Sequence, residues 1–157
     1  MVTTARRKRP VHWFPQPGHP SPIVFLTVCT DGRARWLANA FAHSAMIDAW
    51  HEATRWLVGR YVLMPDHLHL FCAPTAESGS LESSIGYWKA RVTRALGASR
   101  GALWQREYWD RQLRREESYE AAWEYVRQNP VRAGLVECAD AWPFQGELHP
   151  LAWYGTR

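Results

Sequence analysis

At 157 residues, with 46% hydrophobic and 22% charged content, the chain has the size of one domain with one full core. No stretch approaches the ~20 uncharged apolar residues that cross a membrane. Three widely separated cysteines, Cys29, Cys72 and Cys138, argue against a disulfide framework or a structural zinc site and for a reducing, cytoplasmic setting.

Residues 1–21 carry Arg6, Arg7, Lys8 and Arg9 among repeated prolines, which reads as an extended basic arm. The basic run meets Pro10 with no apolar segment behind it, so a secretory leader is not expected. Ile23 to Thr30 is apolar and β-branched, a buried strand, and Asp31-Gly32 turns the chain. A helix is expected over about 39–56, with Phe41, Ala45, Ile47 or Asp48, and Trp56 on its inner face. Residues 57–64 and His67 to Ala73 form two strands broken at Pro65-Asp66, paired as a hairpin. Ser80 caps a helix whose apolar face is Leu81, Ile85, Trp88, Val92 and Leu96, with Lys89, Arg91 and Arg94 on the opposite face. Gly97 to Gly101 ends that helix, and 103–113 is irregular or a fourth strand. A last helix is expected to start at Glu116-Glu117 and run to about Asn129, where Pro130 interrupts it. The stretch from Pro130 to Gly134 reads as one further turn closed by glycine, and the tail shows no clear period. A hairpin and two further strands covered by helices give an α+β fold. The economical arrangement is a ferredoxin-like split βαβ with a central antiparallel sheet.

The net charge of +4 is segregated. Residues 86–115 hold eight Lys or Arg against two acids, and the first ten residues hold four basic groups and no acid. A basic arm and a basic middle suit a polyanion lying across one side of the molecule. Trp88, Trp104 and Trp109 fall among these arginines, where aromatic faces can stack exposed bases, although most of the ten tryptophans belong in a core.

Two features bear on chemistry. His67 and His69 flank Leu68 on a strand, so both imidazoles share one face and are able to share one metal ion. Taken alone, two solvent-facing histidines are the simpler reading. Asp66 adjoins His67 but, as a strand neighbour, is expected to face away and is not assigned to the metal. Tyr125 and Asn129 lie four apart on the last helix and are therefore neighbours on its surface, at the flank of the stripe formed by Tyr119, Ala122 or Trp123, and Val126.

Three segments in this order resemble the REP-associated tyrosine transposases of the HUH superfamily, a group similar to the small transposases of single-strand insertion sequences. They are Met64-Pro65-Asp66-His67-Leu68-His69, the Tyr125-x-x-x-Asn129 pair, and Pro130-Val131-Arg132-Ala133-Gly134-Leu135-Val136. The resemblance covers roughly residues 22–145. Residues 108–115 are also similar to the family, except that Trp109 stands where the family often has histidine. The resemblance implies a domain over 22–136, followed by a tail at 137–157 packed on it. It implies that Tyr125 is the nucleophile and that His67, His69 and Asn129 bind Mg²⁺ or Mn²⁺. The activity it implies is cleavage and strand transfer of single-stranded DNA at hairpins (REP-type palindromes) through a 5′-phosphotyrosine. Arg6, Arg7, Lys8, Arg9, Lys89, Arg91 and Arg94 are the expected DNA contacts. No membrane partner is expected, and the family works as monomers or homodimers. The rival expectation is a domesticated hairpin-binding protein without catalysis.

Overall fold

The computed structural model describes residues 22–77, 79–114 and 118–151. Arg6, Arg7, Lys8 and Arg9, and the expected helix start at Glu116-Glu117, lie outside the described residues.

Four strands, β1 (Val24–Thr30), β2 (Trp56–Leu63), β3 (His67–Pro74) and β4 (Trp104–Gln112), alternate with helices α1 (Ala40–Glu52) and α2 (Leu81–Ala95). They form an antiparallel sheet in the order β4-β1-β3-β2, which is the ferredoxin-like split βαβ. A short strand, β5 (Gln145–Glu147), adds to the free edge of β2. Beyond β4 come α3 (Tyr119–Arg127) and the single turn α4 (Asn129–Arg132).

The two sheet faces are covered differently because β3 alternates. Leu68, Leu70 and Cys72 join Val24, Leu26 and Val28 in a core beneath α1 and α2, closed by Met46, Trp50, Ile85, Trp88 and Val92. The interleaved residues of β3 face the other way, where Phe71 and Val62 pack with Val126 and, more peripherally, with Tyr119, Ala122 and Trp123 of α3. Each fully buried apolar side chain of this size contributes roughly 1.5–3 kcal/mol. Period-two alternation therefore commits His67 and His69 to the α3 face, since Leu68 and Leu70 are needed on the other.

Each long helix starts at a side-chain cap. Asn39 accepts from the Ala42 amide, Ser80 from Ser83 and Ser118 from Ala121. The expected helix over 39–56 stops at Glu52, and its inner face is Ala42, Met46, Ala49 and Trp50. Phe41 is 67% exposed, and Trp56 is buried as the first residue of β2. Pairing of Trp56 with Pro74 in the sheet overrides the local helical pattern. Residues 104–112 form a regular strand, and the last helix ends at Arg127, two residues short of Asn129. Pro130 occupies the first turn of α4, where its missing N–H costs nothing.

Two devices seat α3. Arg60 of β2 donates to Glu120 of α3 (2.6 Å) and Glu147 of β5 (2.9 Å). The Tyr119 hydroxyl accepts from the Arg60 amide at 3.0 Å and lies 2.7 Å from where a Cβ on Gly59 would sit. Gly59 is thus a close-approach glycine, open so that Tyr119 reaches the strand backbone.

Candidate active site

His67 and His69 stand side by side on β3 with ring centroids 4.9 Å apart and planes at 81°. His69 is the deeper ring. It stacks on Phe25 at 5.3 Å, and its Nδ1 lies 2.9 Å from the Thr27 hydroxyl. Burial, then the electrostatic influence of the neighbouring His67, Arg132 and Arg33, pushes its pKa down to about 3, so this ring is neutral at physiological pH. A neutral imidazole is the form that binds a metal.

The position of Asp66 corrects the expectation that it faces away. It belongs to the turn before the strand, where alternation does not yet apply, and its Oδ1 lies 2.7 Å from His67 Nδ1. Its other oxygen accepts from Arg33 Nε at 2.9 Å. Burial pushes the Asp66 carboxyl up, but the hydrogen bonds from His67 and Arg33 outweigh it and hold the group below its usual range. An ionised carboxylate on Nδ1 fixes a histidine with Nε2 presented for a metal. Thr27 does the same for His69 when that ring donates from Nδ1.

The helical half of the site shares a cavity with His69. Tyr125 and Asn129 line a cavity of about 520 Å³ together with His69, Phe25, Phe71 and Arg111. Tyr125 is 70% exposed, so its hydroxyl is open to a large substrate. Asn129 turns its Nδ2 to the Val126 carbonyl (2.8 Å), while its Oδ1 accepts from Arg132 at 3.0 Å. Arg132 also donates to the Tyr125 carbonyl at 2.9 Å, and its guanidinium lies over the Tyr125 ring at 4.3 Å. The fold therefore brings Tyr125, Asn129 and His69 to one cavity with His67 beside it. Among the described residues no group of three or more His, Cys, Asp or Glu is placed to hold a metal ion. A cation here would depend on the two imidazoles and the Asn129 amide oxygen.

Sequence reasoning set Asp66 aside and missed Arg33, Thr27, Arg111 and Arg132. Arg132 carried a signal, since it lies three residues beyond Asn129 and so on the same side of a helical turn. Arg33 and Thr27 carried none, because the β1–β3 register brings Thr27 to His69 and the tight turn after β1 brings Arg33 to Asp66.

The expected DNA contacts on α2 divide. Lys89 and Arg94 line a groove of about 1030 Å³ between α2 and β4, joined by Arg100 and Arg106. Lys89 is less exposed than expected, because its ammonium donates to the Gln105 carbonyl at 2.9 Å. Arg91 turns instead to Tyr87, lying over that ring at 5.8 Å. Trp109 is 47% exposed. It pairs in register with Thr27 on the α3 face of the sheet.

Fold and cavity together define a class: a ferredoxin-like domain whose sheet carries a histidine pair, the deeper ring of which shares a cavity with a tyrosine and an amide from two consecutive helices. The comparisons narrow it. The REP-associated tyrosine transposase of Escherichia coli is 29% identical over 107 residues, covering 62% of each chain. A Haemophilus influenzae homologue assigned to the same group is 26% identical over 113 residues, covering 60% of this chain and 64% of its own. The chain thus matches less than two thirds of the length of either curated relative. No protein-family model matches. Among solved structures, a REP-associated tyrosine transposase bound to a REP hairpin shares the fold with a TM-score of 0.67 at 22% identity, over 86% of this chain and 82% of that one. A transposase-type protein of Deinococcus radiodurans gives a TM-score of 0.51 at 16% identity, over 78% and 96%. The chain is similar in sequence to REP-associated tyrosine transposases over these spans and shares the fold of the solved one.

Proposed function

We propose that the protein is a metal-dependent single-stranded DNA endonuclease and strand transferase acting at hairpin DNA. The observation that carries this reading is the single cavity lined by Tyr125, Asn129 and His69. In the reaction, the Tyr125 hydroxyl oxygen attacks the scissile phosphorus and the bond to the 3′ oxygen breaks. The phenolic proton passes to water, and the departing 3′ oxygen takes a proton to become a free hydroxyl. The products are a 5′-phosphotyrosine and a 3′-OH. Attack by another 3′-OH on that phosphotyrosine rejoins DNA, with the phenolate leaving more easily than an alkoxide would.

The residues suit a divalent ion acquired with substrate. Two imidazoles and one amide oxygen are a weak set for tight structural binding and leave positions for water and a phosphate oxygen, so Mg²⁺ or Mn²⁺ is the expected ion. When bound, the ion supplies Lewis-acid polarisation of the phosphate. His67 and His69 would hold it, oriented by Asp66 and Thr27, and Asn129 would complete the set with the amide oxygen that now accepts from Arg132.

The substrate reading rests on charge and on the relatives. A solved relative is bound to a REP hairpin. The groove bearing Lys89, Arg94, Arg100 and Arg106 suits the phosphates of a stem. The basic arm at Arg6, Arg7, Lys8 and Arg9 adds further phosphate contacts. The present engagement of the Asn129 oxygen by Arg132 favours one rival, a hairpin binder that does not cut. Incubating hairpin DNA carrying single-stranded flanks with Mg²⁺ or Mn²⁺ separates the two. Cleavage by the wild type and its loss in Tyr125→Phe, with binding kept, supports the enzyme. Binding without cleavage across REP-type hairpins and both ions supports the rival.

A further inference from the structure

Among the described residues, Arg33 is the one non-glycine residue with positive φ, at 56°. L-residues rarely adopt this left-handed region, and Arg33 shares it with Gly32 (φ 59°), so the tight turn after β1 sets where the Arg33 side chain starts. Arg33 ends the short 3₁₀ turn Asp31–Arg33 between β1 and α1. From that position its guanidinium donates to two groups, Asp66 Oδ2 at 2.9 Å from Nε and Cys29 Sγ at 3.2 Å from Nη1, while Nη2 stands 3.5 Å from His67 Nδ1, a nitrogen that Asp66 Oδ1 approaches more closely, at 2.7 Å. The backbone around it is sewn to the same turn. The Thr30 amide donates to the Asp66 carbonyl at 3.0 Å, its hydroxyl lies between the Ala34 carbonyl (2.8 Å) and the Asp66 carbonyl (3.0 Å), and the Leu37 amide donates to the Pro65 carbonyl at 3.1 Å.

We infer that the β1–α1 connection is a positioning device for His67, with Arg33 as its key residue. Thr30 and Leu37 hold the backbone of the Pro65-Asp66 turn, and Arg33 holds the Asp66 carboxylate in the orientation that receives Nδ1–H of His67. A free imidazole favours the Nε2–H tautomer, which has no lone pair on Nε2. Asp66 locked by Arg33 reverses that preference and leaves Nε2 open to a cation. Arg33 acts through Asp66 and is a positioning residue. This inference rests on the metal-site reading above only for its consequence, since the tautomer is set without metal.

The test uses the full chain and two readouts. Arg33→Gly suits the backbone, because glycine adopts φ near 56° freely, so a folded variant with undiminished thermal stability is expected. The tautomer of His67 is read from the ring ¹⁵N shifts in mildly alkaline buffer, and Mn²⁺ affinity is measured by calorimetry. Wild type is expected as the Nδ1–H tautomer. Arg33→Gly and Asp66→Asn are expected to populate Nε2–H and to bind Mn²⁺ about tenfold more weakly, the usual scale for removing a ligand's supporting partner. Replacement of the exposed neighbour by Arg35→Ala is expected to change neither. A wild-type tautomer retained in Arg33→Gly would overturn the inference. A tautomer that shifts in a protein whose wild type does not bind Mn²⁺ would support the positioning role and overturn the metal reading instead.

Discussion

His69 shows how much one buried side chain sets. Its pKa is pushed down to about 3 by burial, with help from neighbouring positive charge, whereas an unfolded histidine titrates near 6.5. The unfolded state therefore binds more protons across that window, so the stability gained from keeping this ring neutral is full above about pH 6.5 and is lost as the pH falls toward 3. Urea unfolding from about pH 7 to about pH 4 is expected to show a falling midpoint in wild type and a flatter one in His69→Gln. Equal slopes would mean the ring does not carry the effect. The histidine pair itself was legible, because period-two alternation with Leu68 and Leu70 fixes its face from sequence. Its partners were not: Thr27 reaches His69 through the β1–β3 register, and Asp66 reaches His67 because the turn breaks the alternation.

At the level of elements, the site depends on how closely α3 lies against β2. A Cβ on Gly59 would meet the Tyr119 hydroxyl at 2.7 Å and the Leu151 side chain at 2.6 Å. Gly59→Ala is thus expected to lift α3 and to destabilise the fold by roughly 1–3 kcal/mol, the usual cost of overpacking. Because Tyr125 and Asn129 ride on or beside α3, cleavage should fall more than hairpin binding. Removal of the cap in Ser118→Ala is expected to cost about 1 kcal/mol, measured by denaturant unfolding. The element order and the sheet were readable from strand patterns, capping residues and the Pro130 break. The phase of α1 was not, since Phe41, Ala45, Asp48 and Trp56 satisfy helical spacing as well as the true inner face does, and the pairing of Trp56 with β3 decides between them. The strand β5 is three residues long, too short to leave a pattern in the tail.

Across the whole molecule, the basic groove and the tyrosine cavity lie on opposite faces of the sheet, one under α2 and the other under α3, with β4 forming a wall of each. DNA that engages both must pass around the β4 edge, where Trp109 stands exposed beside the Thr27–His69 row. Arg94→Ala combined with Arg100→Ala is expected to weaken hairpin binding and to reduce the salt dependence of the binding constant by about one unit for each arginine–phosphate pair removed. Cleavage at saturating protein should be nearly unchanged, because neither arginine lines the tyrosine cavity. An unaltered salt slope would place the stem elsewhere. The proposed chemistry stands or falls on a covalent bond between Tyr125 and DNA. The most direct measurement is protease digestion and mass spectrometry of the protein after reaction with hairpin DNA and Mn²⁺. A single nucleotide-bearing peptide, modified through a 5′ phosphate at Tyr125, is expected. Cleaved DNA with no such adduct, or with the adduct on another residue, would contradict it.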